Sequence, residues 1–221
     1  MIKIAITTNK NFFEKSLPIL IPTLIDCGIN KDDIHVFNAG FDKYSKGIVN
    51  GITYHNLDHN SFEYSALIEI CEKEIVSEYW FLIHDTCKVG KKFKELLYNI
   101  PEEKPVKMAL KINPSMSMGL YSYNYLLENK NKLFDIKNSD YSKESMSKWK
   151  IWGVPNEDYI MWKTEPKPKL YNENEKNWSV VDNYNWYGTD TIRRTEYYPS
   201  LDLYKNKSNW GQTGYNMVLK I

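Results

Sequence analysis

Tyr79-Trp80-Phe81-Leu82-Ile83 is a continuously apolar run that stops abruptly at His84-Asp85-Thr86. Such a run reads as a strand covered on both faces, so Asp85 falls at a strand's carboxyl end. Open α/β sheets bind ligands outside those ends. A carboxylate there can hold Mg2+ or Mn2+, and the ion can bridge a diphosphate. The same side chain can equally well cap the turn that follows. Arg193-Arg194 stands out because the chain otherwise uses Lys for positive charge. A guanidinium grips phosphate oxygens in bidentate fashion, although a surface ion pair is the everyday use of Arg. In Trp152-Gly153-Val154-Pro155-Asn156-Glu157-Asp158, Asn156 can cap a helix whose first turn holds Glu157 and Asp158. Acids at that position at least favour the helix dipole.

Some tempting patterns carry less. His55 and His59 are four apart, but Asn56 follows the first histidine where the zinc-protease helix has Glu, and Asn56 and Asp58 favour a loop. A metal site on that pair is not expected. The chain has no Gly-x-Gly-x-x-Gly and no Gly-x-x-x-x-Gly-Lys, which argues against dinucleotide oxidoreductases and P-loop enzymes.

These residues need elements to position them. Residues 2–7 alternate as a strand and open into the polar Thr7-Thr8-Asn9. Phe13, Leu17, Leu20, Ile21 and Leu24 share one face of a helix ending near Gly28. Ile34 to Phe37 and Ile52 to Tyr54 are short strands, with Asp58 and Asn60 just after the second. Asn60 or Ser61 can cap a helix with the apolar face Phe62, Ala66, Leu67, Ile70, Cys71 and Ile75. The apolar strand and a helix over roughly Lys91 to Tyr98 follow. Val106 to Ile112 reads as a strand, Tyr123 to Phe134 as one helix, and Asp158 to Trp162 as another short helix candidate. Alternating strands and helices predict a mostly parallel sheet flanked by helices, an α/β fold. A single domain, residues 1–221, is expected, with a nucleotide-binding half over 1–104 and an acceptor-side half over 105–221.

The composition is that of an ordinary globular chain: 221 residues, 42% hydrophobic, 26% charged. A net charge of +1 gives no reason to expect nucleic acid or an anionic membrane as partner. Three cysteines without short spacing point to free thiols in a reducing compartment. The chain begins directly in a strand pattern without a secretory leader, and no apolar run suits a transmembrane segment, so a cytoplasmic protein is expected. Six of the seven Trp and twelve of the seventeen Tyr follow residue 120, an aromatic density able to stack on sugar rings or simply to pack.

The element order, ending in an apolar strand and an acidic triplet, resembles a GT-A glycosyltransferase. In that fold an Asp-x-Asp motif after the fourth strand binds a metal and the nucleotide diphosphate, and His84-Asp85-Thr86 stands at that place with a single Asp. The Trp152-Gly153 and Glu157-Asp158 segment resembles the Trp-Gly then Glu-Asp segment of these enzymes. The resemblance implies Asp158, with Glu157 beside it, as the base that takes the acceptor hydroxyl's proton in an inverting reaction. It implies donor-nucleotide contacts from Thr7, Thr8, Asn9, Asp58, His84, Asp85, Arg193 and Arg194. It further implies Asp85 on Mn2+ or Mg2+ and acceptor contacts from Trp152 and Gly153, and the aromatic density adds Trp186, one of Trp152, Trp178, Trp186 and Trp210 able to line an acceptor groove. The partners it implies are a nucleotide-sugar donor, UDP- or GDP-linked, and a glycan or glycoprotein acceptor. Two other readings remain beside it: a non-catalytic carbohydrate-binding protein on the same scaffold, and another metal-dependent, nucleotide-using α/β enzyme.

Overall fold

The computed structural model describes residues 1–100, 108–109, 118–137, 179–181 and 192–208. Its centre is a mixed sheet. The strands β1 (Ile2–Asn9), β2 (Ile34–Ala39), β3 (Ser45–Val49), β4 (Ile52–Leu57), β5 (Tyr79–His84), β7 (Met108–Ala109) and β8 (Gly119–Ser122) lie in the order β3-β4-β2-β1-β5-β8-β7. Neighbouring strands among β4, β2, β1 and β5 run parallel. Strand β3 pairs antiparallel with β4, and β8 pairs antiparallel with both β5 and β7.

Alternation along the strands sends side chains into two cores. Ile4, Ile6, Ile34, Val36, Phe81 and Ile83 meet Leu17, Leu20 and Leu24 of helix α1 (Phe13–Asp26) and Phe93 and Leu97 of helix α3 (Phe93–Tyr98). Ala5, Phe37, Trp80 and Leu82 face the other way. They meet helices α2 (Ser65–Glu72), α4 (Tyr123–Glu128) and α5 (Lys130–Lys137). A sheet covered on both faces explains why β5 is continuously apolar: Trp80, Phe81, Leu82 and Ile83 are all fully buried. Helix α1 carries Pro18 and Pro22 on its exposed side, so its stability comes from its buried stripe rather than from helix propensity.

A second sheet, in the order β6-β11-β10-β9, is antiparallel. Its strands are β6 (Cys87–Val89), β9 (Ser179–Val181), β10 (Ile192–Tyr198) and β11 (Leu203–Ser208). The Gly90 N–H, just after β6, donates to the Asp202 carbonyl at 2.7 Å and continues the β6–β11 pairing, while the Val89 N–H ties β6 to Thr23 Oγ1 of α1 at 3.2 Å. A Cβ at Gly90 would come within 2.0 Å of the Asp202 carboxylate, so that close approach requires glycine.

Four sequence expectations change. The sheet expected to be mostly parallel is mixed, because β3 at one edge and β8 and β7 at the other pair antiparallel. The helix expected to start at Asn60 or Ser61 begins as a 3-10 turn, Phe62–Tyr64, and only Ser65–Glu72 is α-helical. No side-chain hydrogen bond caps Ser65–Glu72 itself, and the Ser61 N–H donates to Ser65 Oγ at 2.9 Å. The single helix expected over Tyr123 to Phe134 breaks at Asn129, whose side-chain amide donates to the Tyr125 carbonyl and ends α4. His55, expected in a loop, lies in β4 and is completely buried. Beyond these, Asn50 and Gly51, with φ of 52° and 86°, close a β3–β4 hairpin that the Asn-Gly pair signals. Of the strand expected over Val106 to Ile112, Met108–Ala109 is described. The helix candidate at Asp158 to Trp162 lies outside the described residues.

Candidate functional site

The chain runs from β1 through β2 to β4 on one side, then returns across β1 to form β5. Strand order therefore reverses between β1 and β5, with α1 and α2 on opposite faces of the sheet. A reversal of this kind opens a crevice at the strands' carboxyl ends. Thr7 pairs with His84 there, and the Asp85 N–H extends the ladder by donating to the Thr7 carbonyl at 3.2 Å.

Asp85 is the centre of a polar cluster. Its Oδ2 accepts the Thr8 hydroxyl at 2.6 Å and the Ser16 hydroxyl at 2.9 Å. Ser16 also bonds the Phe12 carbonyl, so the first turn of α1 is tied to the end of β5 through this carboxylate. Protein surrounds the Asp85 carboxyl, although the residue as a whole keeps some exposure to solvent. Burial raises its pKa above the ordinary carboxylate value. The Thr8 hydroxyl, the Lys205 charge, the Ser16 hydroxyl and the Thr86 N–H pull it partly back.

Lys205 reaches this place from the second sheet. It lies opposite Cys87 in the β6–β11 pairing, is buried, and its ammonium contacts Thr86 Oγ1. The Asn206 N–H donates to the Thr86 carbonyl at 3.0 Å and fixes the same turn. Across the β10–β11 pairing Lys205 faces Glu196, whose carboxylate accepts the Tyr198 hydroxyl at 2.6 Å. The buried Lys205 ammonium thus acts on the Asp85 carboxylate from the neighbouring Thr86 turn.

The other expected site residues distribute as follows. Thr7, Thr8 and Asn9 end β1 beside Asp85, and Asn9 Oδ1 accepts the Asn11 N–H at 3.0 Å, which shapes the turn into α1. Strand alternation puts Thr8 and Asp85 on the α1 side, and Thr7 and His84 on the α2 side. Asp58 is exposed just beyond β4, with β2 between that strand and β1. Arg193 and Arg194 lie in β10, in the same small sheet as Lys205. Glu157, Asp158, Trp152, Gly153 and Trp186 lie outside the described residues.

Ser16 and Lys205 were not among the expected residues. Ser16 was readable, because it is a hydroxyl on the same stripe as Phe13, Leu17 and Leu20, where an apolar residue would otherwise sit. Lys205 carries no local signal in Tyr204-Lys205-Asn206-Lys207, and only the docking of β11 on β6 brings it to Asp85.

Mg2+ is commonly held by one or two carboxylates together with substrate phosphates. A lone Asp85 beside hydroxyl oxygens fits that mode, whereas no group of three His, Cys, Asp or Glu ligands includes Asp85 among the described residues. No helix among the described residues is long and apolar enough to cross a membrane. No protein-family profile matches the chain, and no curated protein is significantly similar to it.

Proposed function

We propose that this chain is a GT-A-type glycosyltransferase whose nucleotide-diphosphate-sugar donor binds at the carboxyl ends of β1 and β5. One observation carries the reading: Asp85 stands at the strand-order reversal, held by Thr8 and Ser16 and accompanied by the Lys205 ammonium. Among the parallel strands β1, β2, β4 and β5, Asp85 follows the fourth, which supports the resemblance read from the sequence. In this reading Asp85 gives one oxygen to Mg2+ or Mn2+, and the ion, when bound, neutralises the diphosphate. Lys205 adds a fixed positive charge in a partly enclosed place, where it acts more strongly on phosphate than it would in bulk water. Thr8 and Ser16 keep the carboxylate oriented, as outer-sphere partners do. Asp158, with Glu157 as its neighbour, is the proposed base, and Trp152, Gly153 and Trp186 the proposed acceptor contacts.

The test is calorimetric titration of UDP and GDP, and then of their sugar conjugates, with and without Mn2+. Binding that needs Mn2+ and is lost in Asp85→Asn supports the reading. Donor binding unchanged by that substitution removes Asp85 from the role, and no binding of either nucleotide removes the donor class. Release of UDP or GDP from the sugar conjugate separates a transferase from a carbohydrate-binding protein on the same scaffold.

A further inference from the structure

A second polar cluster lies on the other face of the sheet. His59, Glu69 and Glu72 bring one donor atom each within 4.8 Å of one another. Glu69 and Glu72 stand three apart on α2 and so share a face of that helix. The loop carrying His59 is pinned from two sides. The Gly40 N–H donates to the Leu57 and His59 carbonyls at 3.1 and 3.0 Å, and Ser61 is bonded to the first residue of α2.

The cluster is poorly satisfied by protein alone. The His59 and Glu69 side chains are 7% and 1% exposed. His59 Nε2 and Glu69 Oε1 are buried without a hydrogen-bond partner. The closest His59 Nε2–Glu69 Oε2 approach is 3.6 Å, too long for a hydrogen bond. A buried carboxylate left in that condition is costly. Two donors bound to one tetrahedral ion at about 2.0 Å stand about 3.3 Å apart, a few tenths from this spacing. His59 Nδ1 lies 2.9 Å from Ser61 Oγ. If that nitrogen carries the proton, Nε2 turns its lone pair to the cluster, the usual arrangement of a metal-bound histidine. Glu72 is on the solvent side, where Lys137 contacts both its oxygens at 2.8 and 2.6 Å. One of those oxygens can turn to an ion while the other keeps Lys137.

We infer that His59, Glu69 and Glu72 form a binding site for one divalent transition-metal ion of the Zn2+ class, with solvent as the remaining ligand. One imidazole and two carboxylates suit that class. The site shares no residue with the Asp85 cluster and does not depend on the transferase reading.

Co2+ is the probe, titrated into the metal-stripped full chain and followed by its visible d–d absorption. The expected result is one equivalent bound in a site of low coordination number, with no near-ultraviolet sulfur-to-metal band that would betray the cysteines. Zn2+ should displace it. His59→Ala should abolish the band, and Glu72→Gln should weaken binding by about tenfold or more, since even outer-sphere partners act on that scale. Asp85→Asn should leave the titration unchanged. Glu72 is exposed, so Glu72→Gln decides the matter if His59→Ala fails to fold. Absence of the band in the native chain, leaving a His59–Glu69 ion pair only, overturns the inference. So does a titration that neither His59→Ala nor Glu72→Gln alters, or one that Asp85→Asn abolishes.

Discussion

Acid should unfold this protein through two histidines that no proposed site uses. His35 and His55 are neighbours across β2 and β4, with His35 Nδ1 and His55 Nε2 3.1 Å apart and the Tyr44 hydroxyl 3.2 Å from His55 Nδ1. Trp80 packs edge-on against His35 at 5.0 Å between ring centroids, and Phe37 stacks on His55 at 4.6 Å. Burial, with the charges of Lys3, His55 and Lys46, pushes His35 from 6.5 down to about 3. Burial, with the Lys46 charge, pushes His55 from 6.5 to about 4. The folded state therefore holds both rings neutral, whereas the unfolded chain takes up protons as the pH falls through 6.5. Stability is fully present above that value and is lost as the pH falls from it toward the folded values. At pH 5 the unfolded state has gained roughly one and a half pH units of protonation per ring, which is about 2 kcal/mol for each histidine. Two such losses are a large part of a typical total of about 5–15 kcal/mol. Urea unfolding at pH 7, 6 and 5 measures the effect, and ring NMR identifies the groups. His55→Gln keeps a polar partner for Tyr44 but should remove one proton from the slope, about 1.4 kcal/mol per pH unit. Rings of His35 and His55 that titrate near 6.5 would refute the reasoning. Equal stability at pH 7 and pH 5 would do the same.

Three further outcomes are expected. The Asp85 pKa is raised in the folded state, so its ionised form is penalised above that value and the penalty disappears below the unfolded value of 3.8. Asp85→Asn should thus melt higher than the native chain at pH 8, with the gain shrinking toward acid, and a lower melting temperature at pH 8 would contradict this. Gly90→Ala puts a methyl into the Asp202 carboxylate, which accepts the Lys92 N–H at 3.1 Å and the Tyr197 hydroxyl at 3.2 Å; it should cost on the order of 2 kcal/mol in a denaturant titration. Cys71 is buried and its thiol is pushed up to about 12 by burial, so it should resist iodoacetamide at pH 8 until the protein unfolds, with mass spectrometry of the labelled peptide as the readout.

Local chemistry made much of the α/β half readable. The apolar stripe of α1, the runs of β1, β2 and β5 and the acidic stop at Asp85 each carry their signal in a few consecutive residues. The β3–β4 hairpin was not expected, although Asn50-Gly51 marks it locally. Other features depend on contacts between distant segments. The α-helical part of α2 begins at Ser65, after a 3-10 turn over Phe62–Tyr64, rather than directly after Asn60 or Ser61, because a buried helix between the sheet and α5 takes its ends from packing as much as from capping. The His55–x–x–x–His59 spacing reads as one pair, yet the fold separates the two rings. His55 joins His35 inside the sheet, whereas His59 turns to Glu69 and Glu72. The residues around Asp85 come from positions 8, 16, 86 and 205. By itself the sequence determined the helix-covered α/β core and the strand end that holds Asp85, since hydrophobic periodicity is local, whereas the antiparallel pairings and the second sheet came only with the tertiary structure. Only the tertiary structure decided that Ser16 and Lys205 surround it. A hydrogen bond or a charge acts over a few ångströms of space, and chain position does not reveal which residues will be that close.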